Sequence, residues 1–183
     1  MYSTLLVLHS WFRWLVLVSL VFAVYRAFAG WKSGKPFGRL DNVARHTAAT
    51  IAHIQFCVGI TLYFFSPIAS YLLHHFGEAV HLREIRFFGM EHIVMMLCAI
   101  TIITIGSIRA KRKKIDRDKF RMMAKWYSIA LILILASIPW GVLFLVSRPL
   151  FRSFSRNPEG LFLVDKYKIA TLVARTLDHA HLR

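Results

Sequence analysis

The stretch Leu5–Tyr25, LLVLHSWFRWLVLVSLVFAVY, decides the fold. A helix needs roughly 20 mostly apolar residues to cross the hydrocarbon core of a bilayer, at about 1.5 Å of rise per residue. This stretch has that length, and only His9 and Arg13 in it are ionisable. Three further segments read the same way: Ala44–Phe65, Phe87–Ile108 and Trp126–Val146. Backbone polar groups in lipid must be satisfied within the segment, so each is read as a helix. The reading is an all-α integral membrane four-helix bundle over residues 1–148, with helices at about 5–25, 44–65, 87–108 and 126–146. Composition agrees, because 57% of the 183 residues are hydrophobic. A water-soluble domain of this size needs more polar surface than that leaves.

Ala27-Phe28-Ala29 resembles a small-residue cleavage site. The preceding segment lacks a basic leader, is too long for a signal peptide and carries Arg13, so it reads as a retained helix. Cys57 and Cys98 both lie inside apolar segments, and CxxC and CxxCH are absent. That argues against a disulfide framework, a thiolate zinc site and covalent c-type haem.

The net charge of +15 raises nucleic acid as a partner, but the placement of the charges excludes that reading. Lysine and arginine gather between the apolar runs, which is how membrane topology is encoded. The first connection holds Arg26, Lys32, Lys35, Arg39 and Arg45 against Asp41. The second holds Arg83 and Arg86 against Glu78 and Glu84, with His74, His75 and His81. The third, Arg109–Lys125, holds nine basic residues against Asp116 and Asp118. Placing the first and third connections in the cytoplasm puts fourteen basic residues inside, whereas the opposite choice puts nine there. Both termini are therefore expected outside the cytoplasmic membrane. In the tail, 149–183, Phe162, Ile169, Val173 and Leu177 repeat at helical spacing. An amphipathic helix in the membrane interface and a loosely ordered segment both fit that pattern.

Ionisable groups inside a bilayer cost a few kcal/mol each on insertion scales and normally face the bundle interior. Here they are His9 and Arg13 in the first segment, His46 and His53 in the second, and Glu91 and His92 in the third. The first and third helices run in the same direction. His9 and His92 then lie at one depth, roughly 6–8 Å below the same face. Two neutral imidazoles at one depth can take both axial positions of a haem iron, and a flat macrocycle fits between the helices of a bundle. His53, near the midplane, is an alternative ligand. His46, a further candidate, sits beside Arg45 near the cytoplasmic end with no partner at its own depth in the first or third helix, and an ordinary hydrogen-bonded histidine is the better account of it. Arg13 lies one turn from His9. It is a candidate to hold a haem propionate or polarise a quinone carbonyl, and an ion pair with Glu91 explains it as well. Glu91 is also a candidate to move protons in quinol chemistry. His74, His75, His81, His179 and His181 read as solvated. Trp11, Trp31 and Trp126 suit interfacial anchors, Pro139 a kink in the fourth helix, and Gly59 and Gly106 close helix contacts.

The segment His9-Ser10-Trp11-Phe12-Arg13-Trp14, the pair His46 and His53, and Glu91-His92 give the chain its resemblance to small four-helix membrane cytochromes b. It resembles cytochrome b561-type proteins and the haem-bearing anchors of succinate dehydrogenase over about residues 1–148. The resemblance implies haem b, electron exchange with quinol, and membership of a respiratory or other membrane complex. The fourth helix offers no ligand, so what transfers is one haem and not two.

Three functions follow as expectations. The first is a b-type haem protein in electron transfer with quinol or a respiratory partner. The second is a cofactor-free accessory subunit of a larger membrane complex; its basic third connection is a candidate docking surface, although Lys111-Arg112-Lys113-Lys114 reads first as a topology determinant. The third is a proton or solute conduit with Arg13, His53 and Glu91 as polar stations.

Overall fold

The computed structural model describes residues 1–138 together with Ala170 and Thr171. Every regular element among them is helical. In chain order these are α1 (Tyr2–Ser33), α2 (Arg39–Phe64), α3 (Pro67–His74), α4 (Phe76–Ala79), α5 (Arg83–Arg86), a π-helical turn (Phe87–Glu91), α6 (His92–Arg112) and α7 (Asp116–Ser137). Among the described residues, four helical spans are long and apolar enough to cross a membrane: Tyr2–Ser33, Arg39–Phe64, Arg83–Arg112 and Asp116–Ser137. The protein is a multi-pass membrane protein in contact with the lipid bilayer, all-helical over the described residues.

The helices overrun the apolar segments that announce them. α1 continues past Tyr25 to Ser33, and α2 starts at Arg39 instead of Ala44. Long basic side chains at helix ends lay their stems on apolar surface and keep their heads in water, so hydropathy alone ends a helix too soon. The third span begins at Arg83, where the sequence suggests Phe87. The fourth begins at Asp116 instead of Trp126 and ends at Ser137. Ile138 is extended, at φ −78° and ψ 128°. A residue preceding proline is pushed out of the helical region, so the helix stops before Pro139 where the sequence suggests a kink. The expected remainder of the fourth segment, 139–146, lies outside the described residues. So does the expected tail helix from Gly160, apart from Ala170 and Thr171, which are helical.

The second connection, read from sequence as a loop, is itself folded. Ser66 caps α3 by accepting from the Ala69 amide, with Pro67 at the first helical position. Both choices suit a helix start. Ile68, Leu72, Ala79, Leu82 and Ile85 then form a small buried core.

Two compact units result. The first draws on Met1–Ser10 and Val58–Ile93, and the second on Trp11–Cys57 and Val94–Ile138. In the second unit, segments of all four long helices pack as a bundle. Arg26 of α1 donates through Nε (2.9 Å) and Nη2 (2.6 Å) to the buried Asp41 of α2. Gly30 of α1 takes the Phe120 ring of α7 against its backbone. Gly106 of α6 lies directly against Trp126 of α7, the close contact its residue type suggests.

Candidate functional site

The π-helical turn sits immediately before His92 in the first unit. The His92 amide donates to the Phe87 carbonyl, five residues back. Such turns insert one residue into a helix and recur at functional sites. Each residue advances a helix by about 100°, so one inserted residue redirects every side chain beyond it by that angle. Two contacts accompany the turn. The Tyr63 hydroxyl of α2 donates to the Gly89 carbonyl at 2.8 Å, and the buried Gly89 packs on Leu72.

His92 stands next to His9 of α1. The ring centroids are 6.3 Å apart and the planes are inclined at 79°. Gly59 of α2 backs His9. A Cβ at position 59 would lie 3.1 Å from His9 Cε1 and 3.5 Å from Nδ1, so only glycine leaves the ring its ordinary clearance. On the other side, the Phe87 ring lies 6.0 Å from that of His92. Both histidines are partly buried. Two imidazoles on opposite sides of one first-row metal, at metal–nitrogen bonds of about 2.0–2.1 Å, hold their ring centres roughly 6 Å apart. The observed separation fits that requirement, and inclined planes are compatible with it.

Glu91 pairs with Arg86. Arg86 Nε donates to Glu91 Oε1 at 2.6 Å, and Nη1 donates to the Val80 carbonyl at 3.1 Å. The sequence offers Arg13 as the partner and places Arg86 in the connection. The π turn explains the difference. Residues five apart do not share a face of an α-helix, whereas one inserted residue brings them together. Arg86 and Glu91 are each more than a third exposed, so the pair adds little to stability. Arg86 and Tyr63 are the site residues that sequence reading misses. No α-helical spacing connects Arg86 with Glu91, and a tyrosine near a span end reads as an interfacial anchor.

Arg13, His46 and His53 fall in the second unit. The Arg13 guanidinium carbon lies 5.5 Å from the Trp14 ring centroid. His46 is exposed on α2. His53 has both ring nitrogens engaged. Nδ1 lies 2.7 Å from the Ala49 carbonyl, and Nε2 lies 3.1 Å from Thr104 Oγ1. A carbonyl only accepts, so Nδ1 donates to Ala49, while the Thr104 hydroxyl that meets Nε2 also donates to the Ile100 carbonyl at 2.7 Å. Using Nε2 as a metal ligand would cost the Thr104 contact. The same unit buries Arg45, whose guanidinium donates to Asn42 Oδ1 and to the carbonyl and hydroxyl of Ser107. The Tyr127 hydroxyl donates to the Arg45 carbonyl at 2.7 Å.

Among the described residues, no group of three or more histidine, cysteine, aspartate or glutamate side chains is placed to hold a metal ion. A haem iron takes four equatorial donors from the macrocycle, so two histidines suffice for it. Comparison with family models, with curated proteins and with solved structures gave no match for this chain.

Proposed function

We propose that the protein is a membrane-bound b-type haem protein that exchanges electrons with quinol or a respiratory partner in the cytoplasmic membrane. The observation that carries this reading is the His9–His92 pair at a 6.3 Å ring separation. Two neutral imidazoles suit haem iron, and bound haem supplies one-electron redox chemistry. His9 and His92 would hold the iron, with Gly59 leaving His9 room to turn. His53 is the alternative ligand suggested by sequence, and its Thr104 and Ala49 contacts make it the weaker choice, while His46 is exposed on α2. Arg86 is a cation paired with Glu91, the residue before His92; Arg13 is the cation that the sequence suggests for a propionate or quinone carbonyl. Glu91, paired with Arg86, is the candidate proton-transfer group in this reading. In this reading both termini face away from the cytoplasm, as the basic connections favour.

The test is a reduced-minus-oxidised absorption spectrum of protein purified from haem-replete cells. A b-type spectrum is expected, and it should be lost on His9→Ala and on His92→Ala. Protein with no haem, or a spectrum that survives both substitutions, overturns the reading. A cofactor-free accessory role is the second reading. The exposed run Lys111–Lys114 favours it, as a surface for an acidic partner of a larger complex.

A further inference from the structure

We infer that Tyr63 is a positioning residue: its hydrogen bond to Gly89 holds the π-helical turn that sets His92 opposite His9. This rests on the reading of those histidines as a working pair. Three observations meet here. The turn ends at Glu91, so the residue whose direction it fixes first is His92. Without the inserted residue His92 would point about 100° away from its present direction. A π turn has poorer intrinsic stability than the α-helix around it, so it persists where contacts outside the helix hold it.

Two such contacts hold this turn. Tyr63 reaches the Gly89 carbonyl, in the middle of the turn, from a different helix. Gly59, one turn before Tyr63 on α2, faces His9. Residues four apart share a helix face, so one face of α2 carries both the backing for His9 and the clamp for the turn before His92. The Arg86–Glu91 pair bridges the same turn from its two ends. α2 thus contributes no ligand to the pair and yet governs the spacing of both members.

The test needs no cofactor. Cys57 and Cys98 are replaced by serine, His9 and His92 by cysteine, and the full chain is treated with a short bifunctional thiol reagent. Loss of both free thiols, read by mass, reports the pair. Efficient crosslinking is expected with Tyr63 present. Tyr63→Phe should lower the crosslinking rate about fivefold, the population change that one hydrogen bond of ordinary net strength produces. Phe76→Leu, at an exposed position of α4, should leave it unchanged. Arg86→Gln releases the other hold and should lower the rate less, and it stands as the second variant if Tyr63→Phe does not yield monodisperse helical protein. Equal rates in the parent, Tyr63→Phe and Arg86→Gln overturn the inference. A missing haem spectrum in the unaltered protein overturns the proposed function and leaves this result standing, so the two failures are distinguishable.

Discussion

Gly30 and Gly106 both let a bulky side chain of α7 reach the backbone of a neighbouring helix, yet their substitution by alanine should respond in opposite ways to relief. At Gly106 an added Cβ would overlap the Cβ of Trp126, with the Trp126 Cα 3.7 Å away. That is contact with the root of the side chain, so no rotamer of Trp126 relieves it and the two helices must separate. At Gly30 the added Cβ would overlap Cε1, Cζ and Cδ1 of Phe120, the far end of the ring. That ring is buried, with Phe37 at 4.9 Å and the Lys35 ammonium 5.9 Å from its centroid, and has nowhere to go. Overpacking costs about 1–3 kcal/mol, here at the upper end, and alanine returns roughly 1 kcal/mol of helix propensity over glycine. Each single substitution should therefore lose about 1–2 kcal/mol. Phe120→Ala removes the obstructing ring, so the Gly30→Ala/Phe120→Ala pair should show a favourable coupling of about 2 kcal/mol. Trp126→Ala retains the Cβ, so Gly106→Ala/Trp126→Ala should add to within about 0.5 kcal/mol. The assay is a double-mutant cycle by reversible unfolding in mixed micelles, followed by far-ultraviolet circular dichroism. If Trp126→Ala rescues Gly106→Ala as fully as Phe120→Ala rescues Gly30→Ala, the close backbone approach of α6 and α7 is refuted.

Two further outcomes follow from the polar groups. Asp41→Asn should cost about 2–3 kcal/mol in the same unfolding assay; this is below the roughly 3–5 of a fully buried pair, because the Arg26 side chain is 21% exposed. A loss below about 0.5 kcal/mol would refute it. Tyr71, outside the spans, has its phenol pushed above the ordinary value of 10.0, first by burial and then by the charge of Glu78. The fold therefore favours the protonated phenol, and that contribution is present below about pH 10 and is lost as pH rises through the raised value. The unfolding midpoint should fall less steeply above pH 10 in Tyr71→Phe than in the parent, and identical slopes would count against the assignment.

The four crossings were legible in the sequence because hydropathy over roughly 20 residues is a strong, local signal. Gly106 was legible for the same kind of reason, since small residues in a span point to close packing. Helix ends were not, because Lys32, Arg39 and Asp116 lower the hydropathy of turns that are nonetheless helical. The π turn escaped because it leaves the apolar pattern on both sides intact and changes only the phase between them. Arg86 was hidden with it, since its tie to Glu91 exists only after that change of phase. Arg45 shows a different limit. Its position beside a span end suits a solvated topology signal, and only the distant Ser107 reveals that it is buried.

That last contact has a consequence for how the chain is made. Arg45 belongs to the second helix synthesised, and its Ser107 partner follows 62 residues later on the third span. The hydroxyl that meets the Arg45 carbonyl, on Tyr127, follows 82 residues after Arg45, on the fourth. Of the groups around this guanidinium, α2 itself supplies Asn42, three residues earlier. The Ser107 contact and the hydrogen bond to the Arg45 carbonyl exist only once α6 and α7 are in place, so the full polar enclosure of this arginine is completed by the last parts of the bundle to be synthesised.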